Sequence, residues 1–146
     1  ESKAISDLDL AYNMMGGGIP DFTSNTIHFL DLSNNRFWGD IPLFSSTISR
    51  LYLAKNRIIG PTWKLQSLPQ IEVLNLDGNQ LEGEFRLTES QHRQLSMLNI
   101  ANNSFTSIAT DGIQHWKKNI LCDATGNNFA CPLDPNLIQK CYISCK

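Results

Sequence analysis

"FLDLSNNRFWGDIP", Phe29 to Pro42, sets Leu30 and Leu32 two apart, then Asn35, Phe37, Gly39 and a closing Ile41-Pro42. Alternation at period two marks a half-buried strand, and Ser-Asn-Asn marks a turn. Neither signal is specific alone. The stretch decides the fold because it recurs.

From Ile27, the spacing is filled by Ile27, Leu30, Leu32, Asn35 and Phe37. It returns as Ile48, Leu51, Leu53, Asn56 and Ile58, and as Ile71, Leu74, Leu76, Asn79 and Leu81. Leu95, Leu98, Ile100, Asn103 and Phe105 follow, and Ile5, Leu8, Leu10, Asn13 and Met15 precede. A degenerate copy holds Asn119, Cys122, Ala124, Asn127 and Phe129. Starts at 5, 27, 48, 71, 95 and 119 lie 22, 21, 23, 24 and 24 residues apart. That period and pattern predict a leucine-rich repeat solenoid of class α/β. It would be a right-handed superhelix with a parallel concave β-sheet and a short or irregular convex side. One repeat cannot bury its own apolar side, so coils stack and their leucines share a continuous core. Residues 1–118 read as five repeats, and 119–146 as a degenerate sixth with a cysteine-rich cap. Each coil turns a corner after its strand and leaves backbone groups that need partners. Asn13, Asn35, Asn56, Asn79, Asn103 and Asn127 therefore read as a structural amide ladder.

Gly39 with Ile41-Pro42 resembles the Leu-x-Gly-x-Ile-Pro segment of the plant-type leucine-rich repeat class. Gly17, Ile19 and Pro20 repeat it in the first coil, with Gly60 in the third and Gly83 and Phe85 in the fourth. The resemblance covers nearly the whole chain and implies an additional flanking strand or turn, with short or 3₁₀ helices on the convex side. The fifth coil departs, with Ser107, Ala109 and Thr110 in these slots. Its "SIATDGIQHWKKN" offers Asp111 as a cap ahead of a helical turn. Trp63 takes the slot filled by proline in earlier coils, which assigns it to packing between coils.

The four cysteines, Cys122, Cys131, Cys141 and Cys145, all fall in the last quarter of the chain. Even count and clustering suggest two local disulfides in an oxidising compartment. A zinc site competes, but the spacings hold no Cys-x-x-Cys pair and no histidine matches a ligand pattern. "GNNFACPLDPNLIQKCYISCK" resembles the cysteine-containing C-terminal caps of extracellular leucine-rich repeat proteins. That resemblance implies Cys131 with Cys141 and Cys122 with Cys145, one of three connectivities that four cysteines permit. No cysteine precedes Ile5, so further coils, or another subunit, are expected to cover that end.

With 146 residues, a net charge of -2 and 41% hydrophobic content, the chain is one domain's worth of globular protein. It has no basic run that would suit nucleic acid and no apolar stretch near the roughly 20 residues of a membrane span. No nucleotide, metalloprotease or hydrolase motif appears, and no cofactor or metal is expected. His28 lies near Asp31 and Ser33, but three residues along a strand puts His28 and Asp31 on opposite faces, so it reads as a solvent-facing histidine. His92 and His115 fall in convex connections without evident partners. The chain reads as no enzyme.

Function is sought in the outward slots that the scaffold leaves free. The third slot reads Asp7, Phe29, Arg50, Val73, Met97 and Leu121, apolar at four positions of six. The fifth reads Asp9, Asp31, Tyr52, Asn75, Asn99 and Asp123. Phe29, Arg50, Tyr52, Val73, Met97 and Leu121 are the candidate partner-binding residues, with Trp38 a secondary contact. The concave slots hold Asp7, Asp9, Asp31, Glu72, Asp77 and Asp123 against Arg50 and Lys55, which favours a partner with basic and apolar surface. Asn102-Asn103-Ser104 is a glycosylation sequon, with Asn102 the candidate for an N-linked glycan. The expected protein is extracellular, secreted or a cell-surface ectodomain of receptor-like kind. It recognises a protein or peptide through its concave face. The alternative is a structural protein whose copies assemble into an extracellular coat or fibre.

Overall fold

The computed structural model describes residues 4–23 and 26–146. Along the chain, short strands alternate between two parallel sheets. The concave sheet is built from β1 (Asp7–Asp9), β3 (Phe29–Asp31), β5 (Arg50–Tyr52), β7 (Val73–Asn75), β9 (Met97–Asn99) and β11 (Leu121–Asp123), in that order. A lateral sheet holds β2 (Gly16–Gly18), β4 (Arg36–Asp40), β6 (Arg57–Gly60), β8 (Gln80–Phe85) and β10 (Ser104–Ile108). Each strand pairs with the equivalent strand of the next coil, because consecutive coils place the same slots side by side.

The core lies between the sheets and the convex connections. Leu30, Leu51, Leu74 and Leu98 stack in one column, Leu32, Leu53, Leu76 and Ile100 in the next, and all are buried. Their strands are three residues long, so packing of these columns rather than strand length holds the sheet. Farther round, Phe85 and Phe105 meet edge to face at 5.7 Å between ring centroids.

The amide ladder ties the coils together. Asn79 donates from Nδ2 to the Leu53 carbonyl of the preceding coil at 2.9 Å and to the Leu76 carbonyl of its own at 3.1 Å. Its Oδ1 accepts the Ile58 N–H at 3.0 Å. Asn35, Asn56, Asn103 and Asn127 make the same cross-coil bonds. Asn13 is exposed, and among the described residues its Nδ2 reaches only the Leu10 and Ala11 carbonyls of its own coil.

The lateral sheet explains the glycine slot. Gly17, Gly39, Gly60 and Gly83 have φ between 81° and 85°, a region that costs an L side chain roughly 1–2 kcal/mol. Where Ser107 replaces glycine, β10 instead shifts register against β8 between Phe105 and Ser107.

Two convex details differ from expectation. Trp63 is 61% exposed. A 3₁₀ turn, η1 (Trp63–Ser67), begins there and puts Leu65 into the core, leaving the indole beside the Lys64 ammonium, 5.6 Å above the ring. Asp111 is no cap: η2 (Ile113–His115) starts after Gly112 without a side-chain cap bond. Both Asp111 carboxylate oxygens instead take Arg86 Nη1 at 2.8 Å. The fourth coil carries a helix, α1 (Glu89–Gln94), closed by a Thr88/Gln91 capping box. The Thr88-x-x-Gln91 spacing announces it in the sequence.

The cap corrects the expected cysteine pairing. Cys122 is bonded to Cys141 and Cys131 to Cys145. Helix α2 (Pro135–Lys140) crosses the end of the core with Leu137 buried. The tail then runs parallel to the last coil. Tyr142 N–H donates to the Cys122 carbonyl at 3.0 Å, and Lys146 N–H to the Phe129 carbonyl at 2.9 Å. A tail running in the coil's own direction meets its cysteines in the coil's own order. Cys131 with Cys141 and Cys122 with Cys145 would need an opposed tail.

Candidate functional site

The concave face carries the candidate residues in continuous register. Phe29 pairs with Arg50, Arg50 with Val73, Val73 with Met97 and Met97 with Leu121. Their Cβ atoms leave the sheet opposite Leu30, Leu51, Leu74 and Leu98, because neighbours on a strand point to opposite faces. Phe29 and Tyr52 lie diagonally on β3 and β5, with ring centroids 5.7 Å apart and planes tilted by 50°. The Arg50 guanidinium sits 5.3 Å above the Phe29 ring. Aromatic faces attract cations in this range. Arg50 makes no ion pair among the described residues. The cluster is thus preformed, with Phe29 and Tyr52 half-buried and Arg50 exposed.

The fifth slot proves largely structural. Oδ1 of Asp9, Asp31, Asn75, Asn99 and Asp123 each accepts the backbone N–H two residues on, at 2.8 to 3.1 Å. These Asx turns end the strands, so their acids and amides serve the corner before any partner. Tyr52 interrupts the column and lacks this duty. The turn chemistry of Asp and Asn was a signal available in the sequence.

The corner that follows uses the left-handed region in every coil. Tyr12, Asn34, Lys55 and Asn102 have φ of 53° to 56°, and Gly78 and Gly126 of 68° and 69°. Asparagine and glycine tolerate this conformation, whereas tyrosine and lysine are strained there. Lys55 pairs with Asp77 at 2.7 Å, and Asn102 Nδ2 donates to the other Asp77 oxygen at 2.8 Å. Asn102 is exposed, with its amide engaged by that carboxylate.

Trp38 is 59% exposed on the lateral sheet, away from the concave cluster. His28 is exposed, with Nδ1 2.9 Å from the Thr26 carbonyl, and forms no bond to Asp31. His92, expected to have no partner in its convex connection, has one. It is buried in α1 against the Trp116 ring, centroids 6.0 Å apart. Burial pushes its imidazole below the ordinary value, opposed by the charge of Asp111 and reinforced by His115. Among the described residues, no group of three or more His, Cys, Asp or Glu side chains can hold a metal ion. No helix among them is long and apolar enough to cross a membrane.

The Leucine Rich Repeat family model matches residues 26–46, the opening stretch and its immediate surroundings. The chain is a leucine-rich repeat solenoid. The plant peptide hormone receptor RGFR1, solved in complex with RGF2, superposes with a TM-score of 0.80 at 20% identity. That match covers 97% of this chain and 24% of the receptor, and shows the fold alone. Pollen receptor kinase 3 matches at 0.78 with 28% identity over 89% of this chain and 66% of its own. The leucine-rich repeat ectodomain of the receptor kinase SOBIR1 from Arabidopsis thaliana matches at 0.61 with 28% identity, over 70% of this chain and 58% of its own. No curated protein sequence matches the solenoid. The repeats thus span about a quarter of one such receptor structure and less than two thirds of the others. The two disulfides fit the cysteine-containing cap that the C-terminal sequence resembles. Two bridges and ectodomain neighbours point to an extracellular setting.

Proposed function

We propose that this solenoid is a non-enzymatic extracellular recognition module that binds a protein or peptide through its concave face. The observation that carries the reading is the preformed Phe29–Arg50–Tyr52 cluster, two aromatic rings and an unpaired guanidinium on adjacent strands. Aromatic and arginine side chains dominate interface energetics, and here they occupy slots that the coil does not need for its own stability. Val73, Met97 and Leu121 continue the strip towards the cap. The likeness to receptor-kinase structures at 28% identity agrees with this class of role.

Peptides selected from a random display library against the intact chain test it. Phe29→Ala and Tyr52→Ala are each expected to weaken the selected binders by more than about 1 kcal/mol with little loss of fold, the melting temperature falling only slightly. Trp38→Ala is expected to be neutral. Binders sensitive to Trp38 or Trp63 and indifferent to Phe29 and Tyr52 would overturn the concave reading. Assembly into a coat or fibre draws support from Trp38 and Ile59, 59% and 45% exposed on adjacent lateral strands. Concentration-dependent polymers in sedimentation would place that role first.

A further inference from the structure

The cap adds to the concave face something that the repeats do not encode. Tyr142 forms a β-bridge with Asp123, and its backbone exchanges hydrogen bonds with Cys122 and Ala124 at 3.0 and 2.8 Å. The neighbouring Cys141 is bonded to Cys122. Tyr142 is therefore held by its backbone as a seventh rung beside β11, although its side chain is 78% exposed. Leu121, next to it on β11, is 71% exposed, and Met97 on β9 is half-buried. Together they border a shallow depression of about 220 Å³ with Asp123 on its rim. Sealing the end of the core does not require these side chains, since Leu137, Phe129 and Cys141 do that and are buried.

We propose that this notch takes one apolar side chain from an extended, basic segment of a partner protein, with a cationic neighbour facing Asp123. The inference rests on the concave face being the working surface. Three observations choose the occupant. The first is apolar area carried on a backbone that the bridged cap already holds in place, so binding orders side chains but not the chain that bears them. The second is charge. Among the described residues Asp7, Asp9, Asp31, Glu72 and Asp123 have no ion-pair partner, and of the concave acids Asp77 alone is neutralised, by Lys55, which leaves Arg50 against five acids and a negative balance. Such a field attracts basic segments and repels acidic ones. The third is distance. From β5 to β11 is three strand steps, roughly 14 Å at about 4.8 Å each. An extended chain covers that in about four residues, so one segment reaches both the Phe29–Tyr52 cluster and the notch.

The test uses the full chain labelled with ¹⁵N and two blocked pentapeptides. One alternates lysine with leucine, and the other has glutamate in place of lysine. The basic probe is expected to shift the amides of Met97, Asn99, Leu121, Asp123 and Tyr142 and to bind about tenfold tighter than the acidic one. Leu121→Ser and Tyr142→Ser are each expected to weaken it by about fivefold or more, with unchanged melting temperature because both side chains are solvent-exposed. Equal binding of both probes, no binding, or variants as good as the parent would overturn the notch. Shifts confined to Phe29, Arg50 and Tyr52 would overturn it too, while leaving the concave reading intact. Loss of the display-selected binders' dependence on Phe29 and Tyr52 would remove that reading itself.

Discussion

Asn79→Ala probes the device that joins one coil to the next, and the structure sets its magnitude. The Leu53 carbonyl accepts Asn79 Nδ2 at 2.9 Å and Asn56 Nδ2 at 3.2 Å. The Leu76 carbonyl likewise accepts Asn79 at 3.1 Å and Asn103 at 3.0 Å. Each carbonyl therefore keeps one donor when Asn79 is truncated. The Ile58 N–H, bonded to Asn79 Oδ1 at 3.0 Å in the buried interior, faces vacated space. One orphaned buried donor costs about 1–3 kcal/mol, and the two weakened carbonyls push the expected loss towards the upper half of that range. Urea unfolding measures it, with the slope checked against the parent so that a change of midpoint reports stability. Hydrogen exchange should show the Ile58 amide losing protection beyond the global change. Asn13→Ala, on an exposed rung confined to its own coil, is expected to cost less than about 1 kcal/mol. Asn79→Asp retains the acceptor for Ile58 but sets a carboxylate against two carbonyls, so it should be at least as destabilising at neutral pH. A loss below about 0.5 kcal/mol for Asn79→Ala would refute the ladder as a structural element.

Leu76→Ala, at a side chain with no exposure, is expected to cost about 2–5 kcal/mol by urea titration. Glu72→Ala on the concave surface should stay within about 0.5 kcal/mol, and equal losses at the two would sink the inside–outside assignment. His92 is held neutral by burial, below its ordinary value of 6.5. The unfolded chain then binds the proton more readily, so this contribution is complete above pH 6.5 and lost as pH falls through the folded-state value. His92→Leu should flatten that acid-side slope in thermal melts; an unchanged slope would place the titration elsewhere. Peptide mapping under non-reducing conditions should recover Cys122 with Cys141 and Cys131 with Cys145. Reduction should lower the melting temperature and raise exchange first in β11 and the tail. Four free thiols in the isolated protein would contradict both the cap and the oxidising setting.

The sequence by itself determined what is periodic. Two leucines set two residues apart, an asparagine three residues after the second and a glycine four beyond that specify a strand, a corner and a flanking strand. Stacking follows, because no single coil can bury Leu30 and Leu32 alone. The Phe29, Arg50, Val73, Met97 and Leu121 column was legible for the same reason, since equal slots in equal coils must lie side by side. Tertiary structure decided whatever breaks the period or depends on how the chain returns. The pairing of Cys122 with Cys141 follows from a tail that runs parallel to the last coil, a direction that spacing does not encode. Tyr142 joins the concave face through the same return, and no slot predicted it. Trp63 left the core because a 3₁₀ turn starting there gave its place to Leu65. His92 entered the interior because α1 and η2 pack against each other. Local pattern fixes which face a residue shows within its coil, whereas contacts between irregular convex segments and the cap depend on distances that only the folded solenoid sets.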